Sequence, residues 1–201
     1  MNLYATKGAV NARLVPLVDR LAAAGVTPDQ VTLAAVPVAI LGGAAILASP
    51  QVPLLLLAVP LLIVLRILLN LIDGNMARRT GRIHPRGELY NELGDRLADV
   101  ALLAPVAWLT GASQALVLLG VLCGVLASFV GITARAAGGE RIYRGVLSKP
   151  GRMTLLLVCC LWAFIAGPAD LTPWTVFGPV LLIGTTLTLL ERVVIAVRML
   201  P

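Results

Sequence analysis

Apolar runs separated by short polar connections dominate the pattern of this 201-residue chain. A helix needs about 20 apolar residues to cross a bilayer. Six runs approach that length when glycine, proline and charged residues are taken as helix ends. The predicted spans are 29–48, 53–79, 87–110, 113–137, 152–167 and 174–198. The pattern therefore predicts an all-α integral membrane protein with six transmembrane helices.

The first 24 residues follow a different pattern, in which apolar residues recur at helical spacing with polar residues between them. The apolar positions are Val10, Leu14, Leu17, Val18 and Leu21, and the polar ones are Asn11, Arg13, Asp19 and Arg20. This pattern predicts an amphipathic helix that lies in the membrane interface. Thr27-Pro28-Asp29-Gln30 then matches a capping box at the start of the first span. We therefore divide the chain into an interfacial helix, 1–24, and a membrane domain, 25–201.

Composition and charge place the protein in a membrane and orient it. Hydrophobic residues make up 59% of the chain and charged residues 13%, which is not typical of a soluble domain. The basic residues fall mainly in alternate connections, which predicts that both termini lie on the cytoplasmic side of the cell membrane. The net charge of +6 is spread over these connections, and that distribution favours anionic lipid head groups over nucleic acid as a partner.

Two arrays of oxygen-bearing side chains flank the second connection. They read Asn70-x-x-Asp73-Gly74-x-x-Ala77-Arg78 and Gly87-x-x-x-Asn91-x-x-x-Asp95-x-x-x-Asp99. Residues three or four apart share one helix face, and the short connection makes the two helices antiparallel neighbours. The arrays should therefore face each other at the cytoplasmic end of the helices. Hard cations such as Mg²⁺ prefer such oxygen ligands together with substrate phosphates. The alternative is a structural polar network between two helices.

Small and basic residues around these arrays fit a phosphate ligand. Gly74 allows close approach of a ligand, and Ala77 keeps the same path narrow. Gly87 lets the two helices pack closely. Arg78 lies at a helix end, where a planar cation can reach phosphate. Thr32 lies one turn after the capping box, and contact with a ligand is an open alternative to a purely structural role.

These arrays resemble the signature of the CDP-alcohol phosphotransferases, the integral membrane enzymes of phospholipid synthesis. The pattern of that family is Asp-x-x-Asp-Gly-x-x-Ala-Arg, a gap of about eight residues, and Gly-x-x-x-Asp-x-x-x-Asp. The matching residues are Asp73, Gly74, Ala77, Arg78, Gly87 and Asp95. The resemblance implies transfer of a phosphatidyl group from CDP-diacylglycerol, or another CDP-alcohol, to a small alcohol, with release of CMP. Glycerol 3-phosphate or another phosphate-bearing polyol is the acceptor that we expect.

The resemblance also implies roles for particular residues. The expected cofactor is Mg²⁺ or Mn²⁺, as one or two ions held by Asn70, Asp73, Asn91 and Asp95, and Asp95 is the candidate general base. The residues expected to border the donor are Gly74, Ala77, Arg78, Gly87 and Thr32. Members of the family are typically homodimers.

Asn70 and Asn91 depart from the family pattern, which has aspartates at both positions. An asparagine carbonyl can bind a metal, but it brings no charge and cannot bridge two ions as a carboxylate does. A YnbA-like branch of the family resembles this chain, its two asparagines included. One alternative is therefore a catalytically degenerate member that binds CDP-lipid or a metal as a scaffold or sensor. A small membrane transporter is a second alternative, although the chain has no internal repeat.

The remaining charges suggest two further clusters. Arg66 and Asp99 should lie at a similar depth, which predicts a buried ion pair. The cations Lys149, Arg152, Arg135 and Arg141 are expected to bind an acceptor phosphate, although topology and anionic lipids also explain them. We interpret Glu191 and Arg192 as interfacial charges and His84 as a solvated loop residue. Gly120-x-x-x-Gly124 predicts a helix contact or a dimer face.

Overall fold

The computed structural model describes residues 3–82 and 84–200, and it describes side chains for residues 13–82 and 84–200. This part of the chain folds into seven α-helices. They are α1 (Leu3–Ala23), α2 (Pro28–Ala48), α3 (Leu55–Thr80), α4 (Pro85–Leu103), α5 (Gln114–Ala136), α6 (Lys149–Ala166) and α7 (Thr172–Met199). A short 3-10 helix, Ala104–Trp108, follows α4.

Five of the described helices, α2, α3, α5, α6 and α7, are long and apolar enough to cross a membrane. Helix α4, which corresponds to the third predicted span, is not among them. Its sequence carries six charged residues, Arg86, Glu88, Glu92, Asp95, Arg96 and Asp99. The prediction of an all-helical membrane protein is confirmed in this coarser form, whereas the sixth span stays a prediction.

The capping box at the start of α2 forms as predicted. The backbone N–H of Thr27 donates to Oε1 of Gln30 at 2.9 Å, and the backbone N–H of Gln30 donates to Oγ1 of Thr27 at 3.3 Å. These reciprocal bonds satisfy donors that the first helical turn leaves open. They fix the residue at which α2 begins, and therefore the positions of Asp29 and Thr32.

The described helices form two compact units, and residues 1–41 and 62–98 make up the first. Its core contains Val18 of α1, Val31 of α2, and Ile72 and Met76 of α3, which are all buried. Burial of such side chains supplies the main stabilising free energy. The apolar face predicted for residues 1–24 thus packs partly on protein, while the side chains of Val10 and Asn11 lie outside the described residues. The interfacial position of α1 stays a prediction.

Residues 42–61 and 99–201 form the second unit, which is built around α5 and α7. A Cβ atom at Gly120 would lie 2.9 Å from Cγ of Leu181 and 3.0 Å from the backbone nitrogen of Leu182. The hydroxyl of Thr185 donates to the carbonyl of Gly120 at 3.0 Å. Of the two alternatives for the Gly120-x-x-x-Gly124 motif, the helix contact is therefore formed within one chain.

Candidate functional site

A cavity of about 500 Å³ opens in the first unit between the beginning of α2, the end of α3 and the beginning of α4. Its lining residues are Pro28, Asp29, Thr32, Asn70, Asp73, Gly74, Ala77, Arg82, His84, Pro85, Gly87, Glu88 and Asn91. Seven of the predicted site residues belong to this lining. Residues of both polar arrays therefore line one space, whereas Arg78, Asp95 and Asp99 are not among its lining residues.

Thr32 connects α2 to the first array. Its Oγ1 lies 2.6 Å from Oδ2 of Asp73 and 3.1 Å from the carbonyl oxygen of Pro28. A hydroxyl has one proton, and the shorter contact to the carboxylate is the stronger, charge-assisted bond. Thr32 is 8% exposed and Asp73 is 6% exposed. The threonine thus orients the carboxylate from a position in the cavity lining, and its contact with a ligand stays a prediction.

Asp95 is not among the residues that line the cavity, and three nitrogen-bearing side chains approach it. The side-chain amide of Asn70 donates to Oδ1 of Asp95 at 3.0 Å. Nη2 of Arg66 lies 3.4 Å from the same Oδ1 and donates to the backbone carbonyl of Asp95 at 3.2 Å. Nη2 of Arg96 lies 3.7 Å from Oδ2. The second predicted array therefore carries a carboxylate that already contacts positive charge.

Gly74 and Gly87 both line the cavity. The close packing of α3 against α4 expected of Gly87 stays a prediction, because the atom nearest to its Cβ position belongs to Asp29 of α2. A Cβ atom at Gly87 would lie 3.2 Å from Oδ1 of Asp29, and a Cβ atom at Gly74 would lie 3.6 Å from Nη1 of Arg78. Arg78 is exposed, and its Nη2 donates to Oδ1 of Asn75 at 3.0 Å. Its guanidinium thus lies beside Gly74, although Arg78 is not among the residues that line the cavity, and the phosphate role assigned to it stays a prediction.

His84 and Asp29 are site residues that the sequence interpretation missed. The backbone N–H of Gly87 donates to Nδ1 of His84 at 3.0 Å, and Nε2 of His84 lies 3.4 Å from Oδ2 of Asp29. His84 therefore caps the first turn of α4 and joins it to the start of α2. The His84 side chain stays partly exposed, as expected of a solvated loop residue, but it also contacts the beginnings of α2 and α4. The available signal was its place just before Pro85, which marks a helix start.

The donor set in the cavity fits a hard divalent cation. Among the described side chains, no group of three or more histidine, cysteine, aspartate or glutamate residues could hold a metal ion. The cavity nevertheless brings the Asp73 carboxylate together with the Asn70 and Asn91 amides. Oxygen ligands of this kind, completed by substrate phosphates and water, are the usual environment of Mg²⁺.

The residues expected to bind an acceptor phosphate lie in the second unit, near the connection between α5 and α6. Arg135 is exposed, and the guanidinium of Arg141 lies over the ring of Tyr143, 4.8 Å from its centroid. Lys149 is the first residue of α6. Arg152 is buried, and its Nη2 donates to Oδ2 of Asp99 at 2.8 Å. The four cations thus occupy different environments, and Arg152 is already paired.

Two other sequence interpretations change in the structure. Arg192 is buried and donates to the carbonyls of Arg144, Ala127 and Tyr143 at 2.7–2.9 Å, so reading it as an interfacial charge was wrong. Such a planar group can satisfy several carbonyls of a connection that lacks helical hydrogen bonds. The predicted pair of Arg66 with Asp99 stays a prediction, while their described partners are Asp95 and Arg152.

The chain resembles known proteins along most of its length. The family model described as CDP-alcohol phosphatidyltransferase matches residues 25–197. The chain belongs to this family. It is 33% identical over 162 residues to the inner membrane protein YnbA of Escherichia coli strain K12, with 81% of this chain and 79% of YnbA covered. It is 32% identical to a phosphatidylinositol phosphate synthase of Mycolicibacterium smegmatis, with 96% of this chain and 87% of that protein covered.

Solved structures from the same family share the fold. The crystal structure of Mycobacterium tuberculosis phosphatidylinositol phosphate synthase in complex with manganese and citrate matches with a TM-score of 0.78 and 19% identity, covering 92% of this chain and 88% of that one. The structure of the same synthase with CDP-DAG bound matches with a TM-score of 0.76 and 20% identity, covering 90% and 92%. The resemblance stated from the sequence motif is therefore confirmed.

Proposed function

We propose that this protein transfers a phosphatidyl group from CDP-diacylglycerol, or another CDP-alcohol, to a small alcohol and releases CMP. The observation that carries the proposal is the meeting of Asn70, Asp73, Gly74, Ala77, Gly87 and Asn91 around one cavity. Family membership and the relatives that use such chemistry by name support it. Two solved structures of one relative, with CDP-DAG bound and with manganese and citrate, support the donor and the cofactor, Mg²⁺ or Mn²⁺.

The residues of the cavity fit the groups of a CDP-linked donor. Asp73, with Asn70 and Asn91 as neutral ligands, would hold a divalent cation that offsets negative charge on the pyrophosphate. Gly74 and Ala77 leave room for the phosphates, and Arg78, whose guanidinium lies beside Gly74, would contact them.

The transfer is a direct substitution at phosphorus. The acceptor oxygen forms a bond to the phosphorus that carries the lipid, and the bond from this phosphorus to the bridging oxygen of the pyrophosphate breaks. CMP leaves with the electron pair of that bond, and the proton of the acceptor hydroxyl passes to a base, for which Asp95 is our candidate. No nucleophilic serine, cysteine or histidine of this chain is assigned to a covalent intermediate.

A phosphate-bearing polyol such as glycerol 3-phosphate is the acceptor that we propose. Arg135, Arg141 and Lys149 supply positive charge around the beginning of α6, which favours an anionic group. Arg152 would contribute while paired with Asp99, because one guanidinium has five N–H donors.

We propose that the protein lies in the inner membrane and crosses it six times, with α4 as the span added to the five apolar helices. Both termini would then lie in the cytoplasm. The polar cavity would then open at the cytoplasmic face, where CDP-linked donors and anionic lipids meet. Charged residues in α4 would be tolerated because they face protein or water rather than lipid. A homodimer is the oligomeric state that we expect.

A degenerate family member that binds CDP-lipid without turnover is the second candidate. The observation that favours it is the replacement of two carboxylates by Asn70 and Asn91 in the cavity. Such a protein would retain the fold and the donor cavity and act as a scaffold or sensor.

CMP release by the purified full-length protein in detergent distinguishes the two candidates. The assay supplies CDP-diacylglycerol, Mn²⁺ or Mg²⁺, and a panel of acceptors: glycerol 3-phosphate, inositol phosphate, serine, glycerol and phosphatidylglycerol. The Asp73→Asn variant tests the site, and the Arg79→Gln variant, which changes an exposed ion pair with Asp19, is the matched control.

We expect CMP release that depends on one acceptor, is abolished by Asp73→Asn and is unchanged by Arg79→Gln. Retained binding of CDP-diacylglycerol without release from any acceptor would support the degenerate candidate instead. Failure to bind a cytidine nucleotide would contradict both and would favour a transporter.

A further inference from the structure

The carboxylate of Asp95 has an environment that differs from that of Asp73, although both belong to the predicted arrays. Oδ1 of Asp95 receives the Asn70 amide at 3.0 Å and has Nη2 of Arg66 at 3.4 Å. Oδ2 has Nη2 of Arg96 at 3.7 Å. Two permanently charged guanidinium groups therefore lie within 4 Å of one carboxylate, and its Oδ1 already accepts from Asn70 and Arg66.

Arg66 is fixed in this position. Its side chain is 2% exposed, and its Nη2 also donates to the backbone carbonyl of Asp95 at 3.2 Å. An arginine cannot lose its proton in a protein. Separating a buried charge from its partner also has a large cost in free energy. The positive charge beside Asp95 is therefore a constant part of the folded chain.

A divalent ion bound to Asp95 would have to share that carboxylate with the fixed guanidinium. The charges would repel each other at short range in a site of low solvent access, where screening is weak. On Oδ1 the ion would also compete with the amide of Asn70 and with Nη2 of Arg66. The Asp95 end of the site thus disfavours a metal ion.

Asp73, in contrast to Asp95, is one of the residues that line the cavity. The hydroxyl of Thr32 donates to its Oδ2 at 2.6 Å. The amides of Asn70 and Asn91 line the same space. Because the amide nitrogen of Asn70 is directed to Asp95, its carbonyl oxygen is the atom that can coordinate a cation.

We propose that this protein binds one divalent cation, on Asp73 with the amide oxygens of Asn70 and Asn91, and that Arg66 supplies the second positive charge of the site at Asp95. The inference rests on the proposed function and specifies its metal requirement. Asn70 avoids charge repulsion at the same place. An aspartate at position 70 would put a second carboxylate at hydrogen-bond distance from Asp95, whereas the amide of Asn70 donates to it.

Counting bound Mn²⁺ by electron paramagnetic resonance tests the proposal without substrate or turnover. The purified full-length protein in detergent is titrated with Mn²⁺ alone, and the wild type is compared with Asp73→Asn, Asp95→Asn and Arg79→Gln. We expect one bound ion per chain, with the spectrum of an isolated Mn²⁺. Asp73→Asn should weaken binding by at least about tenfold, whereas Asp95→Asn and Arg79→Gln should each stay within about threefold of the wild type.

The Arg66→Gln variant provides a positive test. Removal of the fixed charge should allow a second Mn²⁺ to bind, and two ions about 3.5–4 Å apart would show spin coupling. If this variant does not fold, the Mn²⁺ affinities of Asp73→Asn and Asp95→Asn still test whether Asp73, and not Asp95, holds the ion.

Two coupled ions in the wild-type protein, or equal losses in Asp73→Asn and Asp95→Asn, would overturn the proposal. If that protein also released CMP with an acceptor, the transferase function would stand while the single-ion inference failed. Absence of Mn²⁺ binding in the wild type would overturn both the inference and the metal dependence of the proposed function.

Discussion

Arg152 of α6 and Asp99 of α4 form a buried ion pair, with Nη2 of the arginine 2.8 Å from Oδ2 of the aspartate. Their side chains are 3% and 5% exposed, and the arginine also donates to the carbonyl of Leu147 at 3.3 Å. Removing one partner from such a pair leaves an uncompensated buried charge. The pair therefore couples the last part of α4 to the beginning of α6 within the second unit.

Loss of either partner should destabilise the protein more than loss of both. We expect Asp99→Asn to lower the free energy of unfolding by about 3–5 kcal/mol, and the double variant Asp99→Leu with Arg152→Met to lower it by less. Thermal unfolding of the purified protein in detergent measures both. Equal losses in the single and double variants would show that the pair is not a coupled unit.

Thr32→Val should weaken metal binding because it removes the hydroxyl that orients Asp73 but keeps the shape of the side chain. Loss of such an outer partner typically weakens metal affinity about 10–100-fold. Titration with Mn²⁺ measures the change, and Thr32→Ser, which keeps the hydroxyl, is the matched control. An unchanged affinity in Thr32→Val would contradict the orienting role.

Substitutions of His84 should separate its two contacts. His84→Ala removes the cap on the Gly87 N–H and should cost about 0.5–2 kcal/mol of stability. His84→Ser restores a cap but not the contact with Asp29, so its stability should return towards that of the wild type.

Binding of CMP distinguishes the contact with Asp29 from the cap. We expect both His84 variants to bind CMP more weakly than the wild type in calorimetry, since both remove the contact with Asp29 that joins the beginnings of α2 and α4. Normal binding in His84→Ser would limit the role of this histidine to helix capping.

Gly120→Ala should destabilise the contact between α5 and α7. The added methyl group would lie 3.0 Å from the backbone nitrogen of Leu182, which cannot move aside as a flexible side chain can. Overpacking of this kind costs about 1–3 kcal/mol. Gly94→Ala is the matched control, because its Cβ would make an ordinary contact of 3.6 Å with Val36. The melting temperature in detergent should fall for Gly120→Ala alone.

Local sequence patterns were sufficient to predict much of the fold and of the cavity lining. The capping box formed by Thr27 and Gln30, and the helices that contain the two arrays, follow from residues close together in the chain. Residues three or four positions apart share a helix face by geometry alone. For that reason Asn70, Asp73 and Asn91 could be assigned to one site before their contacts were known.

The sequence by itself determined the helical membrane architecture, the family and seven of the residues that line the cavity. Only the tertiary structure decided which charges meet: Asp95 with Arg66, Asp99 with Arg152, and Asp29 with His84. Helical spacing gives the face of a residue, but not the rotation and depth of one helix against another. Those depend on packing many side chains from distant segments, and a shift of one helical turn of about 5.4 Å changes every partner.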